Sequence, residues 1–115
     1  MMVSDELEKT LTDVQAKNQQ LQAIAMQKQA MQVQLHEAER ALTELGKMPD
    51  NGEAFKAVGP ILVKSSKPNL TKETTELKEE IELRIKTMEK QEGRIRENLQ
   101  GMQEKLQTLI KGEPS

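Results

Sequence analysis

Histidine occurs once in this 115-residue chain, at His36, and cysteine does not occur at all. Nucleophilic catalysis needs a hydroxyl or thiol held against a base, and one imidazole with no serine paired to it supplies no such relay. Without thiolates there can be no disulfide and no cysteine-ligated metal, and the carboxylates are scattered without the spacing of a ligand set. Asp5-Glu6 and Glu79-Glu80 are neighbouring carboxylates, but acid–base work needs a pocket that shifts a pKa, and surface helices provide none. Gly46, Gly52 and Gly59 match neither a phosphate-cradling loop nor a dinucleotide fingerprint. The expectation is therefore no catalytic residue, no metal and no cofactor. The chain reads as a binding protein rather than an enzyme.

Composition narrows the kind of binding. Phe55 is the sole aromatic residue, and 31% of residues are charged. A thick globular core leans on aromatic area, so none is expected here. Gln, Glu, Lys, Leu and Met favour helix, and such a composition with helical periodicity points to long helices or coiled coil. Seventeen basic side chains stand against nineteen acidic ones, for a net charge of −2. That balance offers no electrostatic footprint for nucleic acid or for an anionic membrane surface. No apolar run has the length of a membrane span. The stretch Met1-Met2-Val3-Ser4-Asp5-Glu6 lacks the basic and apolar regions of a secretory signal, so a cytoplasmic location is expected. The acceptor-like triplet Asn69-Leu70-Thr71 is then coincidental.

The helix breakers cluster in the middle. Between Asp5 and Leu45 there is neither glycine nor proline, whereas Gly46, Pro49, Gly52, Gly59, Pro60 and Pro68 follow closely. The reading is a helix over 5–45, a broken middle, and a second helix over 69–110. Ser4 should cap the first helix and Gly46 should end it. Lys111 and Gly112 should end the second.

Each helix carries one narrow apolar stripe. In the first it runs Leu21, Ile24, Lys28, Met31, Leu35, Ala38, Leu42, Leu45, alternating three and four as a heptad seam does; only Lys28 breaks it. Upstream, Leu7, Leu11, Val14 and Asn18 show the same alternation, and joining the two stretches needs a phase shift near Leu21 and Ile24 that would overwind the coil locally. In the second helix the stripe is Ile81, Ile85, Met88, Glu92, Ile95, Leu99, Met102, Leu106, Leu109, broken only by Glu92. Leu77 leads into it out of phase. Glu80/Arg84, Glu82/Lys86 and Glu92/Arg96 have the favourable Glu-first i,i+4 order. The many glutamines of the first helix, Gln15 to Gln34, read as a solvated face, with a polar groove for unfolded chains as the sharper alternative.

Residues 53–64 differ in kind. Glu53-Ala54-Phe55-Lys56-Ala57-Val58 and Ile61-Leu62-Val63-Lys64 flank Gly59-Pro60, which predicts a β-hairpin. A lone two-stranded hairpin is marginal in water, so Phe55, Val58, Gly59, Pro60, Ile61, Leu62 and Val63 form a candidate oligomerisation surface. The fold class is mainly α: a long antiparallel two-helix coiled coil joined by a β-hairpin. Folding back would place both chain ends together at a tip. There Leu7, Leu11, Val14, Leu99, Met102, Leu106, Leu109 and Ile110 are the candidate substrate-binding residues, since adjacent Leu109 and Ile110 cannot share one seam and methionine adapts to irregular partners. A plain coiled-coil tether or adaptor is the competing reading.

The run Phe55-Lys56-Ala57-Val58-Gly59-Pro60-Ile61-Leu62-Val63-Lys64 resembles the hairpin motif of β-class prefoldin subunits. Leu83-Arg84-Ile85-Lys86-Thr87-Met88-Glu89-Lys90-Gln91-Glu92 and Leu99-Gln100-Gly101-Met102-Gln103 resemble their second coil helix. The likeness covers about Ser4 to Lys111. Most of it is similar to the archaeal β type; Val58 to Lys64 is also similar to eukaryotic prefoldin subunit 6. Gly93 departs from the pattern, where a charged helix former is expected. The resemblance implies a single prefoldin-like domain over 1–115 and an ATP-independent chaperone subunit. It further implies a hexamer of two α and four β subunits whose hairpins form a platform. The tips would hold non-native client proteins and pass them to a group II chaperonin.

Overall fold

The computed structural model describes residues 2–112, in the order α1 (Met2–Lys47), β1 (Glu53–Val58), β2 (Ile61–Ser66) and α2 (Lys67–Lys111). Met1 and residues 113–115 of the expected 1–115 domain lie outside the described residues. The chain forms two compact units, one made of the segments before and including Lys28 and from Thr87 onward, the other of Gln29–Lys86.

The helix ends follow local chemistry, with three departures from expectation. Ser4 lies inside α1 rather than at its N-cap, because the helix already runs from Met2; its side chain is outside the described residues. Gly46 does not end α1. It stays helical without a positive φ, and the helix stops at Lys47, where Pro49 disfavours an α conformation at Met48. A last bond from the Met48 N–H to the Leu45 carbonyl, 3.2 Å, closes that end. The second helix starts at Lys67, earlier than position 69. Ser66 is its cap, its Oγ accepting the Asn69 N–H at 3.2 Å. Pro68 fits inside the first turn because no intrahelical N–H is needed there. At the other end Gly112, at φ 67, and its N–H bond to the Leu109 carbonyl, 3.3 Å, form the expected glycine cap.

In the unit of Gln29–Lys86 the strands pair antiparallel from Glu53↔Ser66 to Val58↔Ile61. β2 thus runs two residues past the expected end at Lys64. Only Gly59 and Pro60 remain for the turn. Gly59 has φ 58, whereas a proline ring holds its own φ negative. Positive then negative is the type II′ pattern, whose twist suits a two-residue hairpin. Lys67 ties the preceding loop to α2: its ammonium donates to the Met48 carbonyl at 2.8 Å and sits 3.3 Å from Asp50. The helical parts of this unit bury Ala38 and Leu45 from α1 and Ile81 and Ile85 from α2. The α2 stripe enters through half-buried Thr74 and Lys78, leaving Leu77 exposed. The expected lead-in through Leu77 is thereby replaced: a lysine stem can lie along a seam with its ammonium in water, and the three–four spacing is kept.

In the unit that holds both chain ends, α1 contributes Leu7, Thr10, Val14, Lys17, Leu21, Ile24 and Lys28 as its buried or half-buried stripe. Thr10 and Lys17 take the places expected for Leu11 and Asn18, and the phase shift near Leu21 and Ile24 is absent. The three–four alternation simply continues, so no overwinding is required. Burying Thr10, at 5% exposure, carries little penalty because its hydroxyl donates to the Glu6 carbonyl at 2.8 Å. From α2 come Met88, Glu92, Ile95, Leu99, Met102, Leu106 and Leu109. Glu6 bridges to Lys105 at 3.5 Å and Lys28 to Glu92 at 2.7 Å. Residue numbers rise along α1 as they fall along α2, so the segments are antiparallel.

Two of the three i,i+4 pairs on α2 close: Glu80–Arg84 at 2.7 Å and Glu92–Arg96 at 3.9 Å. Gly93 and Gly101 sit inside α2 without positive φ, and a Cβ at either would meet nothing within 4 Å. Replacing either with alanine should therefore stabilise the chain, by about 0.5–1 kcal/mol each. Thermal melting followed by circular dichroism would check this; a lowered midpoint would contradict an uninterrupted helix there.

Candidate functional site

Alternation along paired strands sorts the hairpin into two faces. Ala54, Lys56, Val58, Ile61, Val63 and Ser65 share one; Glu53, Phe55, Ala57, Leu62, Lys64 and Ser66 share the other. The first is turned partly toward α2: Ala54 is buried, and the Lys56 ammonium lies 2.9 Å from the Glu73 carboxylate. Apart from half-buried Ser65 and Ser66 at the end of β2, the rest of the hairpin is exposed. Phe55, Val58, Ile61, Leu62 and Val63 are all exposed, Leu62 at 72%. Both faces thus offer large apolar side chains, and with only two strands both outer edges carry unpaired backbone groups. All seven residues expected for oligomerisation, with Gly59 and Pro60 at the turn, lie on this one element.

The eight residues expected at the coil tip all belong to the unit with both chain ends, but they divide by role. Leu99 is buried, and Leu7, Val14, Met102, Leu106 and Leu109 are half-buried in the seam. Leu11 and Ile110 face outward, at 45% and 71% exposure. Leu11 is displayed because Thr10 occupies the seam in its place. Ile110 is displayed because Leu109 does. Three further exposed apolar residues were not anticipated: Met26 and Val33 on the glutamine-rich side of α1, and Leu83 on α2. Met26 and Val33 stand one heptad apart, with Ala23 and Ala30 at three–four spacing on the same side, whereas Leu83 is a single side chain among polar neighbours.

No acid–base pair converges among the described residues. His36 is largely exposed, and its nearest charged group is the Glu39 carboxylate at 3.6 Å, one helical turn along. No group of three or more metal-binding side chains comes together among the described residues. The grooves, such as that lined by Lys56, Leu70, Glu73, Thr74 and Leu77, are shallow and open to water. No described helix is long and apolar enough to cross a membrane.

What this geometry resembles is specific. The Prefoldin subunit family model matches residues 5–113. A prefoldin subunit beta of Archaeoglobus fulgidus is 42% identical over 105 residues, covering 91% of this chain and 90% of the relative. One from Pyrococcus horikoshii is 36% identical, covering 81% and 80%. Among solved structures, the prefoldin beta subunit from Thermococcus strain KS-1 superposes with a TM-score of 0.85 at 32% identity, covering 95% of this chain and 94% of that one. The chain belongs to the prefoldin subunit family, a family of chaperone subunits.

Seam and display residues should respond differently to truncation. Leu99→Ala, at 6% exposure, should cost about 2–3 kcal/mol in chemical denaturation. Ile110→Ala should change stability by less than about 0.5 kcal/mol. Equal losses would contradict the division between them.

Proposed function

We propose that the chain is a β-type prefoldin subunit that holds non-native proteins without ATP. The observation that carries the assembly half of this reading is the bare hairpin. Its apolar faces and open edges are what a sheet built from several subunits would cover, and the described residues offer no third strand. The partners are then further copies and an α-type subunit, in a complex of two α and four β chains. Both chain ends, with Leu11 and Ile110 displayed beside a half-buried seam, supply the client-binding surface. Each contact there is weak, and several subunits acting together make binding firm through effective concentration. Release then needs no nucleotide, and a group II chaperonin in the cytoplasm takes over the client.

Phe55→Lys with Leu62→Lys charges one hairpin face without touching the helical seams. The variant should keep its helical content but fail to form the large complex with an α-type partner, read by size-exclusion chromatography with light scattering. Normal assembly would count against the hairpin as the joining surface. Leu11→Gln with Ile110→Gln should assemble normally yet lose at least half of the parent complex's suppression of aggregation of a denatured protein. A chain lacking residues 1–14 and 99–115 should lose nearly all of it. Full suppression by that truncated chain would exclude the ends as the client surface.

A further inference from the structure

The seam of the unit holding both chain ends contains one carboxyl side chain that is almost wholly buried. Glu92 is 7% exposed, and its Oε1 accepts from the Lys28 ammonium at 2.7 Å. Its other oxygen lies 3.9 Å from the exposed Arg96 guanidinium. Lys28 and Glu92 are also the residues that break the apolar stripes of α1 and α2 in sequence, one in each helix, and the fold sets them against each other. We propose that this pair sets the register in which α1 and α2 lie together in that unit, and so positions the apolar residues near the chain ends.

Apolar packing alone does not select that register. Leucine, isoleucine and methionine in heptad array present similar surfaces every seven residues. A slip of one heptad would set leucine-like side chains against one another again. It would also displace the α2 residues by about 10 Å along α1, at 1.5 Å per residue. The linker, residues 48–66, joins the helices at one end only. Nor does apolar burial favour the observed phase, since Leu11 would serve a seam better than Thr10, which is the residue buried. Charge does discriminate. A slip that brings Glu92 opposite Leu21 sets half-buried Lys28 against an apolar side chain and takes the 2.7 Å partner from buried Glu92, leaving it only the exposed Arg96 of its own helix at 3.9 Å. A buried polar group that costs stability while fixing register is a known use of such residues in coiled coils. Replacing both ions by leucine should accordingly raise stability and lose uniqueness together.

The chain has no native cysteine, which makes register directly readable. Glu6 and Lys105 bridge at 3.5 Å, so Glu6→Cys with Lys105→Cys reports the observed register, and Glu6→Cys with Asn98→Cys reports a slip of one heptad. The full-length chain carrying either pair is treated with a short bifunctional maleimide, and intramolecular links are counted by mass spectrometry. The otherwise native chain should link 6 to 105 and not 6 to 98. Adding Lys28→Leu with Glu92→Leu should raise the melting midpoint by several degrees and bring the 6–98 link to a yield within about threefold of the 6–105 link, an equilibrium difference under about 0.7 kcal/mol. The swap Lys28→Glu with Glu92→Lys should link 6 to 105 alone. Glu92→Lys by itself should weaken that link several-fold, and adding Lys28→Glu should restore it. The proposal is overturned if the double leucine chain links 6 to 105 alone, or if the swap fails to restore what Glu92→Lys loses. The second comparison stands even if the leucine chain does not fold. The positional consequence for clients rests on the holdase reading. The cross-links involve no client, so failure of that reading leaves the register result intact and distinguishable.

Discussion

Two helices packed along a seam can cover one stripe each and nothing more. Among the described residues no side chain is fully buried, and stability must come from many partial burials spread along α1 and α2. That constraint explains the polar residues in the seam. A threonine bonded to its own helix, or a lysine with its ammonium in water, costs little in so thin a layer, whereas a break in the three–four spacing would disturb every later contact. Among the described carboxylates only Glu92 is deeply covered, and it faces the Lys28 ammonium at 2.7 Å.

The same constraint leaves the hairpin uncovered. Of its side chains only Ala54 is buried, and Lys56 bridges to Glu73 of α2. A hairpin with large side chains on both faces gains most of its stability from partners. It lies between α1 and α2 in the chain, and the proposed function gives it the joining role and the segments at the chain ends the contacts with clients. Structure and family agree on a chaperone subunit in which few residues are fully committed to the subunit's own core.

Much of this was legible in the residues. Gly59-Pro60 between two β-favouring runs specified the hairpin, because a proline cannot donate a ladder hydrogen bond and belongs at the turn or an edge. The apolar stripes located both helices and most of the seam, and Gly112 marked the end of α2. What was hidden depended on continuity or on partners across the seam. Leu11 and Leu77 outrank Thr10 and Lys78 by hydrophobicity, yet the heptad spacing carried along each helix selects the polar residues. Lys28 and Glu92 each looked like a flaw in its own stripe, and their pairing needs both helices in view. The strand end at Ser66 was missed because the serine that finishes β2 also caps α2. The outward display of Leu11 and Ile110 follows from the seam positions of Thr10 and Leu109, of which Thr10 is absent from any list of apolar residues.

The proposed function divides labour between the hairpin and the chain ends. Hydrogen–deuterium exchange on the assembled complex, with and without a denatured client protein, tests it most directly. Client should slow exchange in residues 7–14 and 99–112 and leave residues 53–66, already protected by assembly, unchanged. Protection by client concentrated in residues 53–66, with none near the chain ends, would contradict it.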